Sequence, residues 1–143
     1  MKTILFLFLM SAVTITCKSV KQEATTSGPF NIIESYYYSW AGGDSGLRGT
    51  TYIVVLENNN EQVQFESLWV NHKMLKLQRR EDDKRILLRA DHSTRDLETP
   101  DKEEKVEKPM KSAAQGIVKY AVNGTTYYME VNSFEKRKGQ TYN

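Results

Sequence analysis

Residues 116–131 read GIVKYAVNGTTYYMEV, and this stretch decides the fold class. Apolar and polar side chains alternate along both halves, which is the pattern of half-buried β-strands. Asn123-Gly124 lies between the halves, and this pair favours a type I′ turn because both central residues of that turn need a positive φ. The sequence therefore predicts a β-hairpin with one buried face. That face would carry Val118, Tyr120, Val122, Tyr127, Met129 and Val131.

Upstream segments show the same enrichment in β-branched and aromatic residues. A glycine-rich connection, residues 41–49, joins the first two of them, and a polar turn at residues 79–84 would make a hairpin of the last two. In the third segment, alternation points Val63, Phe65 and Trp69 toward the core. We expect these strands at residues 31–40, 50–57, 62–70, 73–77 and 85–90.

About seven short strands and no long helix follow from these patterns. They predict one all-β domain, residues 29–143, built as an antiparallel β-sandwich or a curled sheet. The uninterrupted apolar run at residues 53–56 predicts a strand that is buried on both faces. Residues 93–115 carry many charges and few large apolar side chains, so we expect a solvated loop there, partly helical around residues 102–108.

The first 16 residues have the form of a secretory signal peptide. Lys2 precedes residues 4–15, which carry no charge. Twelve helical residues span about 18 Å, whereas the hydrocarbon core of a bilayer is roughly 30 Å thick, so this stretch is too short for a stable membrane span. The single cysteine, Cys17, follows directly. Residues 17–28 are polar and predict a flexible tether between Cys17 and the domain.

The position of Cys17 resembles that of bacterial lipoproteins, in which the cysteine after the hydrophobic stretch is acylated and becomes the first residue of the mature protein. Residues 36–52, 65–77 and 120–124 also look like the strand and turn features of small all-β lipoproteins of flavobacteria and their relatives. The resemblance implies a lipid anchor at Cys17, a location in the bacterial cell envelope at the outer membrane, and an all-β domain. It supplies no catalytic residues.

Charge and cysteine content argue against several classes of protein. The chain has 20 Lys+Arg and 18 Asp+Glu, a formal net charge of +2, whereas a nucleic-acid binder usually has a larger basic excess. One cysteine excludes an internal disulfide framework and a multi-cysteine zinc site. We therefore expect no nucleic-acid partner and no cofactor.

Two groupings invite a catalytic or metal-binding interpretation that their spacing does not support. Residues 43–46, GDSG, match the string around a serine-protease nucleophile. In that family the His and Asp precede the serine, whereas both histidines of this chain follow it. His72, Asp91 and His92 lack the tight, repeated spacing of zinc ligands.

Paired carboxylates occur at residues 82–83 and 103–104. Both pairs fall in segments predicted to be polar turns or loops, where water keeps carboxylates ionised. Glycoside hydrolysis needs two carboxylates that face each other with separated pKa values. We expect no catalytic residues and no metal ligands.

Tyr36, Tyr38 and Trp40 share one face of the first strand, and Ile33 and Tyr37 share the other. If the first face is inward, its rings belong to the core. If it is outward, the three rings form a candidate surface that could stack on sugar rings or anchor a protein partner.

These observations favour a non-catalytic, lipid-anchored envelope protein that binds another envelope protein or assists its assembly. An exposed edge strand could pair with such a partner. The alternative is a module that binds a glycan or small ligand through Tyr36, Tyr38 and Trp40. A small hydrolase or inhibitor is the third hypothesis, and the sequence supports it least.

Overall fold

The computed structural model describes residues 29–42, 46–59, 62–93 and 106–142. Their regular structure is entirely β, which confirms the predicted fold class. The predicted signal peptide and the tether with Cys17 lie outside the described residues. Within these ranges the strands are β1 (Ile32–Gly42), β2 (Leu47–Glu57), β3 (Val63–Val70), β4 (Lys73–Lys76), β5 (Gln78–Glu81), β6 (Arg85–Ser93), β7 (Gly116–Val122), β8 (Thr125–Val131), β9 (Glu135–Lys136) and β10 (Gln140–Tyr142).

The strands form two sheets that pack face to face as a sandwich. The larger sheet has the order β10-β1-β2-β6-β5, with β9 also paired to β1, and the smaller sheet has the order β4-β3-β7-β8. β9 and β10 run parallel to β1, so the larger sheet is mixed rather than purely antiparallel as predicted. Residues 132–134 carry the chain from β8 of the smaller sheet to the edge of the larger sheet beside β1.

The core lies between the two sheets, and β2 runs through the middle of the larger one. Its residues Ile53, Val54, Val55 and Leu56 are all buried, which confirms the predicted burial of both faces. Val54 and Leu56 face the core, so the alternation of a strand places Ile53 and Val55 on the outer face of the sheet. The buried core residues are Phe30, Val54, Leu56, Val63, Leu68, Val70, Leu77, Ile86, Leu88, Ala90, Val118, Tyr120, Met129, Val131 and Phe134.

The predicted hairpin at residues 116–131 is confirmed. β7 pairs antiparallel with β8, and the two turn residues have positive φ, 50° at Asn123 and 80° at Gly124. The predicted inward face packs into or against the core along both strands. Local turn chemistry and strand alternation agree here, so the register follows from the sequence alone.

The predicted hairpin between residues 73–77 and 85–90 is wrong. β4 pairs with β3 in the smaller sheet, whereas β5 pairs with β6 in the larger one. Leu77 lies between β4 and β5 and is buried where the chain passes from one sheet to the other. β5 reads QRRE with every residue exposed, so its composition resembles that of a turn although it is an edge strand.

A β-bulge in β3 overturns a second prediction. The register against β7 shifts between Phe65 and Ser67. Phe65 consequently packs against the core, while Trp69 packs on the outer face of the smaller sheet. One extra residue reverses the facing of every later side chain, so Val63 and Trp69 do not point the same way.

A second irregularity changes the facing at the start of β1. The register against β2 shifts between Ile32 and Glu34. Ile32 packs against the core, and Ile33 is left 53% exposed. Tyr37 packs against the core, but it does so without Ile33, which the alternation had placed on the same face.

Residues 106–115 correct the prediction of a solvated, partly helical loop over residues 93–115. This segment is irregular, and Val106 and Met110 pack on Trp69, Ile117 and Tyr128, which cover the outer face of the smaller sheet. The indole Nε1 of Trp69 donates to the carbonyl oxygen of Val106 at 3.0 Å. Two apolar side chains and this hydrogen bond therefore hold a stretch whose composition is mostly polar against the sheet. Residues 94–105 lie outside the described ranges.

Candidate functional site

β1 carries Tyr36, Tyr38 and Trp40 on the outer face of the larger sheet. The register between β1 and β2 is regular from Glu34 onward, so the two-residue alternation holds. Each of the three side chains is half-buried. The row therefore belongs neither to the core nor to a fully open aromatic platform.

Trp40 lies across Gly49, its direct partner on β2. A Cβ atom on Gly49 would overlap the indole ring and would also lie 2.6 Å from the carbonyl oxygen of His92. The close approach of ring and backbone is possible only because this position has no side chain. Trp40 thus serves to cover the sheet backbone.

Tyr36 is covered by the segment after β9. The guanidinium carbon of Arg137 lies 3.5 Å from the centre of the Tyr36 ring, within the range of a cation–π contact. Nη2 of Arg137 also donates to Oε2 of Glu34 at 2.6 Å, and this bond raises the pKa of Arg137. One face of the Tyr36 ring is therefore occupied and not available for stacking on a sugar.

Tyr38 lies opposite Thr51, a fully buried polar residue on the same outer face. The Thr51 hydroxyl donates to Oδ1 of Asp91 at 2.5 Å. Nε of Arg89 donates to both oxygens of Asp91, at 3.1 and 2.9 Å. Asp91 therefore accepts the hydrogen bonds of the Thr51 hydroxyl and the Arg89 guanidinium on this face of the sheet.

The structure does not bring His72, Asp91 and His92 together. Nε2 of His92 lies 3.0 Å from Nζ of Lys73, and the ring of His72 packs edge-on against Trp69 with 5.6 Å between centroids. Among the described residues, no three His, Cys, Asp or Glu side chains are grouped to hold a metal ion.

Asp82 holds the turn between β5 and β6. Its Oδ1 accepts hydrogen bonds from the backbone N–H groups of Lys84 and Arg85, at 2.9 and 2.7 Å. These bonds lower the pKa of the Asp82 carboxyl. Asp83 beside it is exposed. The other candidates, Ser45 with its GDSG neighbours at residues 43–45 and the pair Glu103 and Glu104, lie outside the described residues.

The described sheets have four edges, and three of them are short, charged or covered. β4 and β5 have four residues each and read KMLK and QRRE. The remaining edge of the larger sheet, along β1, carries β9 and β10. Short strands, charges and added segments are the means by which proteins protect sheet edges.

β8 is the exception. It has seven residues, TTYYMEV, with a single charge at Glu130 and no proline. Among the described strands its only neighbour is β7. The sequence raised the possibility of pairing through an exposed edge strand without naming the strand. The signal that could have located it is this long, nearly uncharged strand after the hairpin turn.

The described surface therefore offers an open strand edge and a half-covered aromatic row. Within the described part of the chain, no helix has the length and apolar character needed to cross a bilayer. The chain matches no protein-family model, and neither curated proteins nor solved structures show a detectable similarity to it.

Proposed function

We propose that this chain is a non-catalytic, lipid-anchored module of the bacterial cell envelope that binds a partner protein along the edge of β8. The observation that carries the proposal is the seven-residue edge with one charge and, among the described strands, one neighbour. An extended segment of a partner can continue a sheet at such an edge, with main-chain hydrogen bonds supplying the affinity.

The hairpin turn determines which β8 groups face the open side. Val122 and Thr125 are the pair that closes the two-residue turn, and such a pair exchanges both of its hydrogen bonds. Because bonded and non-bonded pairs alternate along an antiparallel ladder, the main-chain groups of Thr126 and Glu130 point away from β7. Each of these two residues presents one donor and one acceptor on the side that a partner strand would approach.

The two faces of β8 determine which side chains a partner strand should carry on each of its own faces. On the inner face, Tyr127 packs against the core and Met129 is part of it. A strand added beside them extends this apolar face, so its inward residues should be apolar. Glu130 is half-exposed on the outer face, where a Lys or Arg across the new strand pair would be favourable.

The predicted anchor limits where the partner can be. Acylation of Cys17 would fix the chain to the bilayer, and lipoprotein-type attachment uses more than one acyl chain because a single chain holds only marginally. A flexible polar tether of the length of residues 17–28 spans about 20 Å on average. We therefore infer that the partner segment lies close to a membrane surface.

The anchor is tested by cell fractionation of the wild type and Cys17→Ala. We expect the wild type in the membrane fraction and the variant outside it. Treatment of intact cells with a protease then distinguishes a surface-facing domain, which is cleaved, from a periplasmic one, which is protected. Soluble behaviour of both proteins would contradict the anchor.

Strand addition is tested by a matched pair of variants at Glu130. Glu130→Pro removes one outward N–H without removing a bond to β7, whereas Glu130→Ala removes only the side chain. A photo-crosslinking amino acid at the exposed Thr125 reports the partner in intact cells. We expect Glu130→Pro to abolish the crosslink and Glu130→Ala to retain most of it. Equal crosslinking by both variants, with equal thermal stability, would rule out pairing along β8.

A further inference from the structure

A trough of about 330 Å³ crosses the outer face of the larger sheet, on the far side of the sandwich from the smaller sheet. Its floor is aliphatic, because Val55 of β2 and Leu87 of β6 are direct cross-strand partners that face outward. The same row continues to Glu34 on β1 and to Arg80 on β5. The trough therefore has a carboxylate at one end, a guanidinium at the other and an apolar floor between them. Tyr36 forms a side wall.

The carboxylates that line the trough already have cationic or backbone partners. Glu34 accepts from Arg137 at 2.6 Å. Asp82 accepts from two backbone N–H groups. Glu81 is paired with Arg79, which also donates to the carbonyl oxygen of a β3 residue in the other sheet. Glu34 and Glu81 are thus each paired with an arginine, and all three acids can still accept further hydrogen bonds.

The guanidinium groups are less constrained. The side chain of Arg80 makes no hydrogen bond or ion pair with any described residue, and it is exposed. Arg85 has one distant ion pair, 3.7 Å from its Nε to Oδ2 of Asp82, and both side chains are 59% exposed. Arg85 leaves β6 on the same face as Leu87, two residues further along the strand, and Arg80 lies opposite Leu87. Two guanidinium groups with donors to spare therefore line the trough.

We propose that the trough binds an acidic sugar unit of a polysaccharide. The C–H face of a sugar ring fits an aliphatic floor beside an aromatic wall, and its hydroxyl groups find acceptors in the lining carboxylates. Its carboxylate can be held by Arg80 and Arg85, since a guanidinium matches a carboxylate with two parallel hydrogen bonds. A volume of about 330 Å³ lies at the small end of ligand sites and suits one or two rings.

This site is separate from the β8 edge, because it lies on the other sheet. Binding at the trough and pairing along β8 can therefore fail or succeed independently. The substitution Glu130→Pro leaves the trough unchanged, and a substitution of Arg80 leaves the β8 edge unchanged.

The experiment is calorimetric titration of the purified domain with trigalacturonate and a mannuronate trimer as acidic probes, and with maltotriose as the neutral probe. We expect saturable binding of at least one acidic trimer and no comparable binding of maltotriose. Arg80→Ala should weaken the binding by about tenfold, the size expected for a lost hydrogen bond to a charged group. The affinity of Arg80→Lys should lie between those of the wild type and Arg80→Ala, because lysine keeps the charge but lacks the paired donors.

Lys76→Ala is the control, since it removes the same charge from an exposed position on β4 of the other sheet. An equal loss of affinity in Lys76→Ala and Arg80→Ala would show general charge attraction and overturn the site. Tight binding of maltotriose, or no saturable binding of either acidic trimer by a correctly folded domain, would overturn it as well.

Discussion

The guanidinium of Arg137 is stacked on the ring of Tyr36, with its central carbon 3.5 Å from the ring centre. The backbone N–H of Arg137 also donates to the carbonyl oxygen of Tyr37 at 2.8 Å. One residue thus fastens the end of the chain to β1 through its backbone and its side chain. The contact closes the edge of β1 and covers one face of the Tyr36 ring.

Removal of the Arg137 side chain should increase the opening of the C-terminal strands and leave the core unchanged. We expect Arg137→Ala to speed amide hydrogen exchange in β9 and β10, while the amides of β2 keep their protection. Arg137→Lys should give an intermediate effect, since an ammonium group cannot stack as a planar guanidinium does. Unchanged exchange in Arg137→Ala would mean that backbone pairing alone holds these strands.

Gly49→Ala should destabilise the domain by about 1–3 kcal/mol, as overpacking of a close contact does. The new Cβ would meet the Trp40 ring and the His92 carbonyl, and the carbonyl belongs to a paired strand that cannot easily move. Urea unfolding measures the change. A second variant, Trp40→Ala with Gly49→Ala, should recover only part of the loss because the backbone contact remains. Full stability of Gly49→Ala would contradict the close approach.

Trp69→Phe should detach the segment at residues 106–115 from the smaller sheet. The variant keeps an aromatic ring but loses the N–H that donates to the Val106 carbonyl, a hydrogen bond worth about 1 kcal/mol. We expect a fall in unfolding free energy of that size and faster exchange of the Val106 amide, which donates to the His72 carbonyl. A Trp69→Phe protein with wild-type stability and exchange would show that apolar contact alone holds the segment.

Asp82 should contribute stability that depends on pH. Its folded-state pKa is lowered by the hydrogen bonds from Lys84 and Arg85. A lowered pKa means that the contribution is present above the ordinary value of 3.8 and is lost as the pH falls through the lower folded value. Asp82→Asn keeps the shape and removes the charge. We expect the wild type to exceed this variant in stability near neutral pH and the two to converge in acid. A gap that is independent of pH would contradict this role.

The parts of the fold that sequence predicted are those set by neighbouring residues. Asn123-Gly124 imposes its turn locally, and the alternation of the flanking strands then fixes both faces. Tyr36, Tyr38 and Trp40 share a face for the same reason, because no bulge interrupts that part of β1.

The incorrect predictions concern features that depend on residues far apart in the sequence. A single bulge near Phe65 places Trp69 on the face opposite to the predicted one. No glycine or proline marks this bulge in the sequence. β5 looks like a turn because its side chains are all exposed, and only its pairing with β6 makes it a strand. Arg137, which covers Tyr36, lies at the opposite end of the chain. The periodicity within β1 therefore could not predict this contact.

The central claim is that β8 receives a partner strand, and amide hydrogen exchange of β8 tests it most directly. In the purified domain the amides of Thr126 and Glu130 should exchange fast, while those of Tyr127 and Met129, which face β7, should be protected. In the complex with the crosslinked partner, the two outward amides should become protected as well. Outward amides that still exchange fast in the complex, or that are already protected in the purified domain, would contradict the account.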